Sequence, residues 1–223
     1  MHYYWNLNPY YKSKDIDDTT LIFESWFECA NLRRAVKVGD YEYDLYLKPD
    51  YNTNSFTQWF YFRIQNTRRE RTYTFNIRNL QKSDSLYNHG MLPLVYSRKE
   101  AERCNIGWHR DGDNVCYYQN ANPQKKKGGT FNYNLTFDLT FRYDHDEVYV
   151  SHCYPYTLSD LKKFISSVCH TNNRDRIRKT SMCKTLAGND CDMLIITNFY
   201  SREEDIADRS AVILSSWVHP GET

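Results

Sequence analysis

The sequence predicts a multi-domain chain: an antiparallel β-sandwich or barrel over residues 1–152, then the first part of an α/β domain over residues 153–223. Three observations carry this. The chain holds 20 Tyr, 11 Phe and 5 Trp in 223 residues, side chains that favour strands and bury large areas. Between about residues 40 and 150, apolar and polar side chains alternate with period two, which places the apolar ones on one side of a strand. After about residue 152 the pattern turns helical and then gives short apolar runs, as in an α/β unit.

The first alternating run is Tyr41, Tyr43, Leu45 and Leu47, stopped by Pro49-Asp50-Tyr51-Asn52, which has turn chemistry. Gln58 to Ile64 carries Phe60, Phe62 and Ile64 on one face, and Trp59 and Tyr61 on the other. Tyr73, Phe75 and Ile77 repeat the pattern, and Leu135, Phe137, Leu139 and Phe141 give its clearest case. A turn over 108–114 precedes a strand at Val115 to Tyr118, and the lysine-rich stretch 120–129 reads as a solvated hairpin loop. Short strands at this spacing fit a sandwich or a barrel.

The second unit opens with Thr157 as a helix cap and Asp160 three residues on. Leu158, Leu161, Phe164, Ile165 and Val168 then share a helical face. Met182 to Ala187 and Met193 to Thr197 flank Gly188-Asn189-Asp190, a hairpin signal. Ala211 to Leu214 is continuously apolar, as in a strand covered on both faces.

With 29 Lys+Arg against 28 Asp+Glu, no strong field draws the chain to nucleic acid or to an anionic membrane. No apolar run is long enough for a transmembrane helix, and the start lacks a secretory pattern. Seven scattered cysteines without a C-x-x-C pair read as reduced thiols in the cytosol, and Cys153, Cys169, Cys183 and Cys191 read as small packing residues rather than nucleophiles or ligands. The triplet Asn134-Leu135-Thr136 falls inside a strand, so it reads as accidental rather than as a glycosylation site.

Chemistry concentrates at His219 and Glu222, in Val218-His219-Pro220-Gly221-Glu222 after the apolar run. Zinc takes imidazole nitrogen and carboxylate oxygen, and hydrolytic sites often use two His and one Glu. Pro and Gly forbid a regular helix here and form a tight loop able to aim both side chains at one ion. A His and Glu paired on a surface turn is the plainer account of the spacing alone. His89, His109, His145 and His152 lack ligand spacing and read as turn or surface residues. Asn79, Lys82 and Ser83 read either as a contact to substrate or partner, or as polar groups satisfying backbone at a strand end.

The ending VHPGET resembles the zinc motif of the cytosolic carboxypeptidases, a branch of the metallocarboxypeptidases. Residues 75–87 followed by Gly90-Met91-Leu92-Pro93 resemble that family's amino-terminal domain. So do Gly107 to Gly112, Cys153 to Leu161 and Thr185 to Gly188, in the family's order. The resemblance covers roughly residues 20–223. It implies a β-sandwich amino-terminal domain over 1–152 and the start of a mixed-sheet metallocarboxypeptidase domain over 153–223.

The resemblance also implies a reaction: zinc-dependent removal of carboxyl-terminal or side-chain glutamates from proteins such as polyglutamylated tubulin. His219 and Glu222 would be metal ligands. The second zinc His, the general-base Glu and the carboxylate-binding Arg are expected beyond Thr223, so no catalytic residue is assigned, and the 223 residues alone are expected to be inactive. Trp217 stands where the family often has Arg. The expected location is the cytoplasm, in association with the cytoskeleton or cilia. A non-catalytic protein-binding β module is the competing reading. A reader of single-stranded nucleic acid gains from the aromatics and loses from the balanced charge.

Overall fold

The computed structural model describes residues 18–53, 56–120, 132–170 and 175–216. These divide into two compact units, the first ending at Pro155 and the second opening at Tyr156. In the first unit the strands run β1 (Ile22–Glu24), β2 (Leu32–Gly39), β3 (Glu42–Leu47), β4 (Tyr61–Gln65), β5 (Thr72–Leu80), β6 (Leu94–Ser97), β7 (His109–Arg110), β8 (Asp113–Gln119), β9 (Tyr133–Thr140) and β10 (Val148–Ser151). A 3-10 turn spans Leu86–His89, and helix α1 covers Arg98–Cys104.

The alternation does what period two dictates. Tyr43, Leu45 and Leu47 of β3, Tyr73, Phe75 and Ile77 of β5, and Leu135, Phe137 and Leu139 of β9 are all buried. The glycosylation-like Asn134 is buried within β9, where no glycan could reach it.

The strands form two five-stranded sheets, ordered β1-β4-β10-β6-β7 and β2-β3-β5-β9-β8. One buried cluster joins them. The ring of Phe23 in the first sheet lies 5.2 Å from Tyr43 and 6.3 Å from Phe75 in the second. The Leu21 amide donates to the Tyr43 hydroxyl at 2.9 Å. Each buried Leu, Ile or Phe contributes about 1.5–3 kcal/mol, so this shared layer is the main stabilising feature of the unit.

One expectation needs correction: the pairing is not purely antiparallel, since β3 and β5 run parallel from Glu42↔Thr74 to Leu45↔Ile77. After β3 the chain crosses to lay β4 into the other sheet, then returns beside β3 in the same direction. At the end of β3, Asn79 closes the ladder. Its Nδ2 donates to the Leu47 carbonyl at 3.0 Å, and its Oδ1 accepts from the Leu47 amide at 2.8 Å. Asn79 therefore satisfies backbone at a strand end.

The second unit contains α2 (Leu158–His170), a hairpin of β11 (Ile177–Lys184) and β12 (Asp190–Ile196), and the short α3 (Glu203–Ala207). Thr157 and Asp160 cap α2 reciprocally: the Asp160 amide donates to Thr157 Oγ1 at 3.1 Å, and the Thr157 amide to Asp160 Oδ2 at 3.1 Å. The Thr157 hydroxyl, donating to Asp160 Oδ2 at 2.6 Å, and then the Thr157 amide hold the Asp160 carboxyl below the usual carboxylate range.

The expected strand at Ala211 to Leu214 is not one. The segment has no ladder partner among the described residues, and Val212, Ile213 and Leu214 are 84%, 90% and 91% exposed. An apolar run becomes a buried strand only when neighbours take up its hydrogen bonds and cover its faces. The only sheet among the described residues of this unit is the antiparallel hairpin, so a mixed sheet is not seen there.

Candidate functional site

His219 and Glu222, together with Trp217, lie outside the described residues. Among the described residues, no group of three or more His, Cys, Asp or Glu side chains could hold a metal ion. His219 and Glu222 have the donor chemistry that zinc takes, but two protein donors fall short of the three found in catalytic zinc sites.

The motifs of the first unit converge on His152. Its ring is buried, 5.6 Å from both Phe60 and Tyr87, with Nδ1 lying 3.2 Å from the Tyr87 hydroxyl. Burial first, then the positive charges of Arg110 and Lys82, push the imidazole down to about 4. Burial likewise drives the Tyr87 phenol far above its ordinary range. Arg110 links the same stretches, donating from Nη1 to the carbonyls of Leu92 at 2.6 Å and His152 at 2.8 Å. The Tyr117 hydroxyl holds the Lys82 carbonyl at 2.5 Å.

The space left among these groups is about 10 Å³, at most what one water needs. The cluster therefore fixes the fold at this end and cannot admit a substrate. His152 is the one histidine whose surface assignment from sequence fails. His89 and His145 are exposed, and half-buried His109 sits 3.9 Å from both Glu100 and Asp111.

The larger concavity is on the outer face of the first sheet. A single rung crosses four strands there, from Glu24 to Arg63, Tyr149 and Tyr96 in successive register. Residues directly opposite in a ladder point to the same side, so the four side chains form one floor. Arg63 is held by Glu24 at 3.0 Å and Glu147 at 3.3 Å.

Around this floor stand Trp26, Phe27, Tyr61 and Trp108, enclosing an open groove of about 570 Å³. The rings meet edge-on or tilted, with Phe27–Tyr61 at 4.9 Å, Tyr96–Trp108 at 5.5 Å and Tyr61–Trp108 at 5.9 Å. A groove of this volume, apolar with a few fixed charged groups, has the character of a binding surface. Its signal in the sequence was the second aromatic face read at Trp59 and Tyr61, of which Tyr61 of β4 lines the groove.

Residues 23–152 match the family model described as the cytosolic carboxypeptidase N-terminal domain. The chain is 46% identical over 208 residues to cytosolic carboxypeptidase 2 of Homo sapiens, covering 93% of this chain and 23% of that protein. It is 43% identical over 219 residues to cytosolic carboxypeptidase 3 of Bos taurus, covering 98% and 21%. Against cytosolic carboxypeptidase 1 of Mus musculus it is 38% identical over 229 residues, covering 97% and 19%. The chain thus spans about a quarter or less of these relatives.

Two solved structures share the fold at lower identity. A metallo-carboxypeptidase from Burkholderia cenocepacia superposes with a TM-score of 0.54 at 18% identity, covering 78% of this chain and 39% of that one. A metallo-carboxypeptidase from Pseudomonas aeruginosa gives a TM-score of 0.50 at 18% identity, with 77% and 39% covered.

Proposed function

Because the chain belongs to the cytosolic carboxypeptidase family, we propose that it serves a zinc-dependent metallocarboxypeptidase that removes carboxyl-terminal or side-chain glutamates from proteins such as polyglutamylated tubulin. The observation that carries this reading is the family match through residues 23–152, with His219 and Glu222 following later in the sequence. In this reading the two sheets form the β-sandwich amino-terminal domain, and residues 153–223 begin the α/β catalytic domain.

His219 and Glu222 would hold the metal, which when bound polarises a scissile carbonyl and acidifies a water. The remaining imidazole, the general-base carboxylate and the arginine for the terminal carboxylate come from outside these 223 residues. Residues 1–223 by themselves are accordingly inactive. The protein works in the cytoplasm, beside the glutamylated microtubules of the cytoskeleton or cilia.

The test is glutamate release from polyglutamylated and detyrosinated tubulin peptides by the full-length parent, with His219→Ala and Glu222→Gln variants alongside. Release by the parent and its loss in both variants is the expected result. A zinc-loaded parent that leaves both peptides intact overturns the reading.

A second reading, a protein-binding module without catalysis, is favoured by the aromatic groove over Arg63. There, binding of the tubulin peptides to residues 1–223 would depend on Trp108 and Tyr149. Trp108→Ala without effect on binding would remove that reading.

A further inference from the structure

Cys183 and Cys191 stand directly opposite each other in the β11–β12 hairpin. Paired residues of an antiparallel ladder send their side chains to the same side of the sheet. At the turn, the Thr185 amide donates to the Asn189 carbonyl at 2.8 Å, which makes that a hydrogen-bonded pair. Alternation along the ladder gives Cys183 and Cys191 the same status, with Cα atoms about 5.5 Å apart. That separation lies within the Cα range of disulfides, and the Cβ atoms, about 5 Å apart in such a pair, must draw in toward the roughly 3.5–4.5 Å that the bond needs.

Burial, and then the neighbouring Cys183 thiol, push the Cys191 thiol up. Cys183 is exposed, whereas Cys191 is half-buried. The turn holds the register: the Gly188 amide donates to the Thr185 carbonyl at 2.8 Å, and Lys184 pairs with Asp190 at 2.7 Å. A bulge between Ser181 and Cys183 sits beside the pair and adds local twist.

We infer that Cys183 and Cys191 form a reversible redox-modification site, closing a cross-strand disulfide under peroxide. The exposed Cys183 reacts first: its thiolate attacks hydrogen peroxide, an S–O bond forms, the O–O bond breaks, and hydroxide leaves. Cys191 then attacks the sulfenic sulfur of Cys183. The S–S bond forms, the S–O bond breaks, and water leaves with the Cys191 proton. Two thiols are oxidised and one peroxide is reduced to two waters. A dithiol reductant reverses the step through a mixed disulfide. Such a bond in a cytosolic protein is transient and sensing rather than a permanent staple.

The sequence supplies a direct readout, because Lys184 separates the two cysteines. Trypsin after Lys179, Lys184 and Arg202 yields Thr180–Lys184 and Thr185–Arg202, each with one cysteine. The 223-residue chain is treated with graded hydrogen peroxide, its remaining thiols are blocked, and it is digested without reductant. The expected result is the two peptides joined, lighter than their sum by two hydrogens and separated again by dithiothreitol. In Cys191→Ser the linkage is absent and Cys183 accumulates as a dimedone-trapped sulfenic acid. The inference is overturned if peroxide oxidises other cysteines first, or if Cys183 links to a different cysteine. It is equally overturned if the two peptides stay unlinked while Cys183 goes on to sulfinic acid.

Discussion

Arg110 Nη1 lies 2.8 Å from the backbone carbonyl of His152, and the same nitrogen reaches the carbonyl of Leu92 at 2.6 Å. One guanidinium thereby ties the segment before β6, the strand β7 and the segment after β10. Arg110→Ala removes a charged donor from two carbonyls and should lower unfolding free energy by about 1–3 kcal/mol. Arg110→Lys should recover less than half, since an ammonium lacks the planar fork. Urea denaturation of the three proteins measures both, and an unchanged midpoint in Arg110→Ala would refute the role.

His152 makes stability depend on pH in a definite direction. Its folded value is about 4, below the ordinary 6.5. Between those values the unfolded chain binds a proton that the folded chain refuses. The His152 contribution is therefore fully present above about pH 6.5 and falls away as pH drops toward 4. The full difference is worth up to about 3 kcal/mol. His152→Gln should show a flatter profile than the unmodified chain between pH 4.5 and 7. Parallel profiles for the two would count against it.

Phe75 and Trp26 should respond oppositely to truncation. Phe75 is fully buried against rings of both sheets, so Phe75→Ala should cost about 3–5 kcal/mol. Trp26 is 73% exposed, so Trp26→Ala should stay within about 0.5 kcal/mol. Thermal melts of both variants check the contrast.

Asp146 is a buried acceptor serving several donors. The Ser97 hydroxyl bonds to Oδ2, and the amides of Lys99 and Glu147 donate to Oδ1 at 3.1 and 2.7 Å. Ser97 in turn caps α1 by accepting from the Glu100 amide at 3.0 Å. Ser97→Ala should cost about 1–2 kcal/mol as a lost cap. Asp146→Ala should cost more, about 3 kcal/mol, because it leaves three donors without their acceptor. The reverse order in chemical denaturation would contradict this network.

The alternating runs through Tyr43, Phe75 and Phe137 were legible because period two is a local property that burial of one face enforces. The capping pair Thr157 and Asp160, and the turn through Gly188, were legible for the same reason. Partner choice is not local. Nothing in the spacing of β3 and β5 says that they run parallel, or that β10 inserts between β4 and β6. His152 was read as a surface residue because its burial comes from Phe60 and Tyr87, which are distant in sequence. Ala211 to Leu214 has a buried strand's composition without neighbours, and composition is only half of what a strand needs. His219 and Glu222 were marked by donor chemistry and by motif order, and they lie outside the described residues.

The parallel pairing of β3 with β5 also constrains how the first unit can be made. The chain between those strands places β4 in the opposite sheet, so neither sheet can finish while the other is absent. Cutting the unit between β3 and β5 would leave two pieces that each expose half of a shared interior. Folding should thus be all-or-none and governed by contacts far apart in sequence, on the millisecond-to-second scale of nonlocal β topologies. On a ribosome, the unit would wait for β10 to emerge before any of it could become stable.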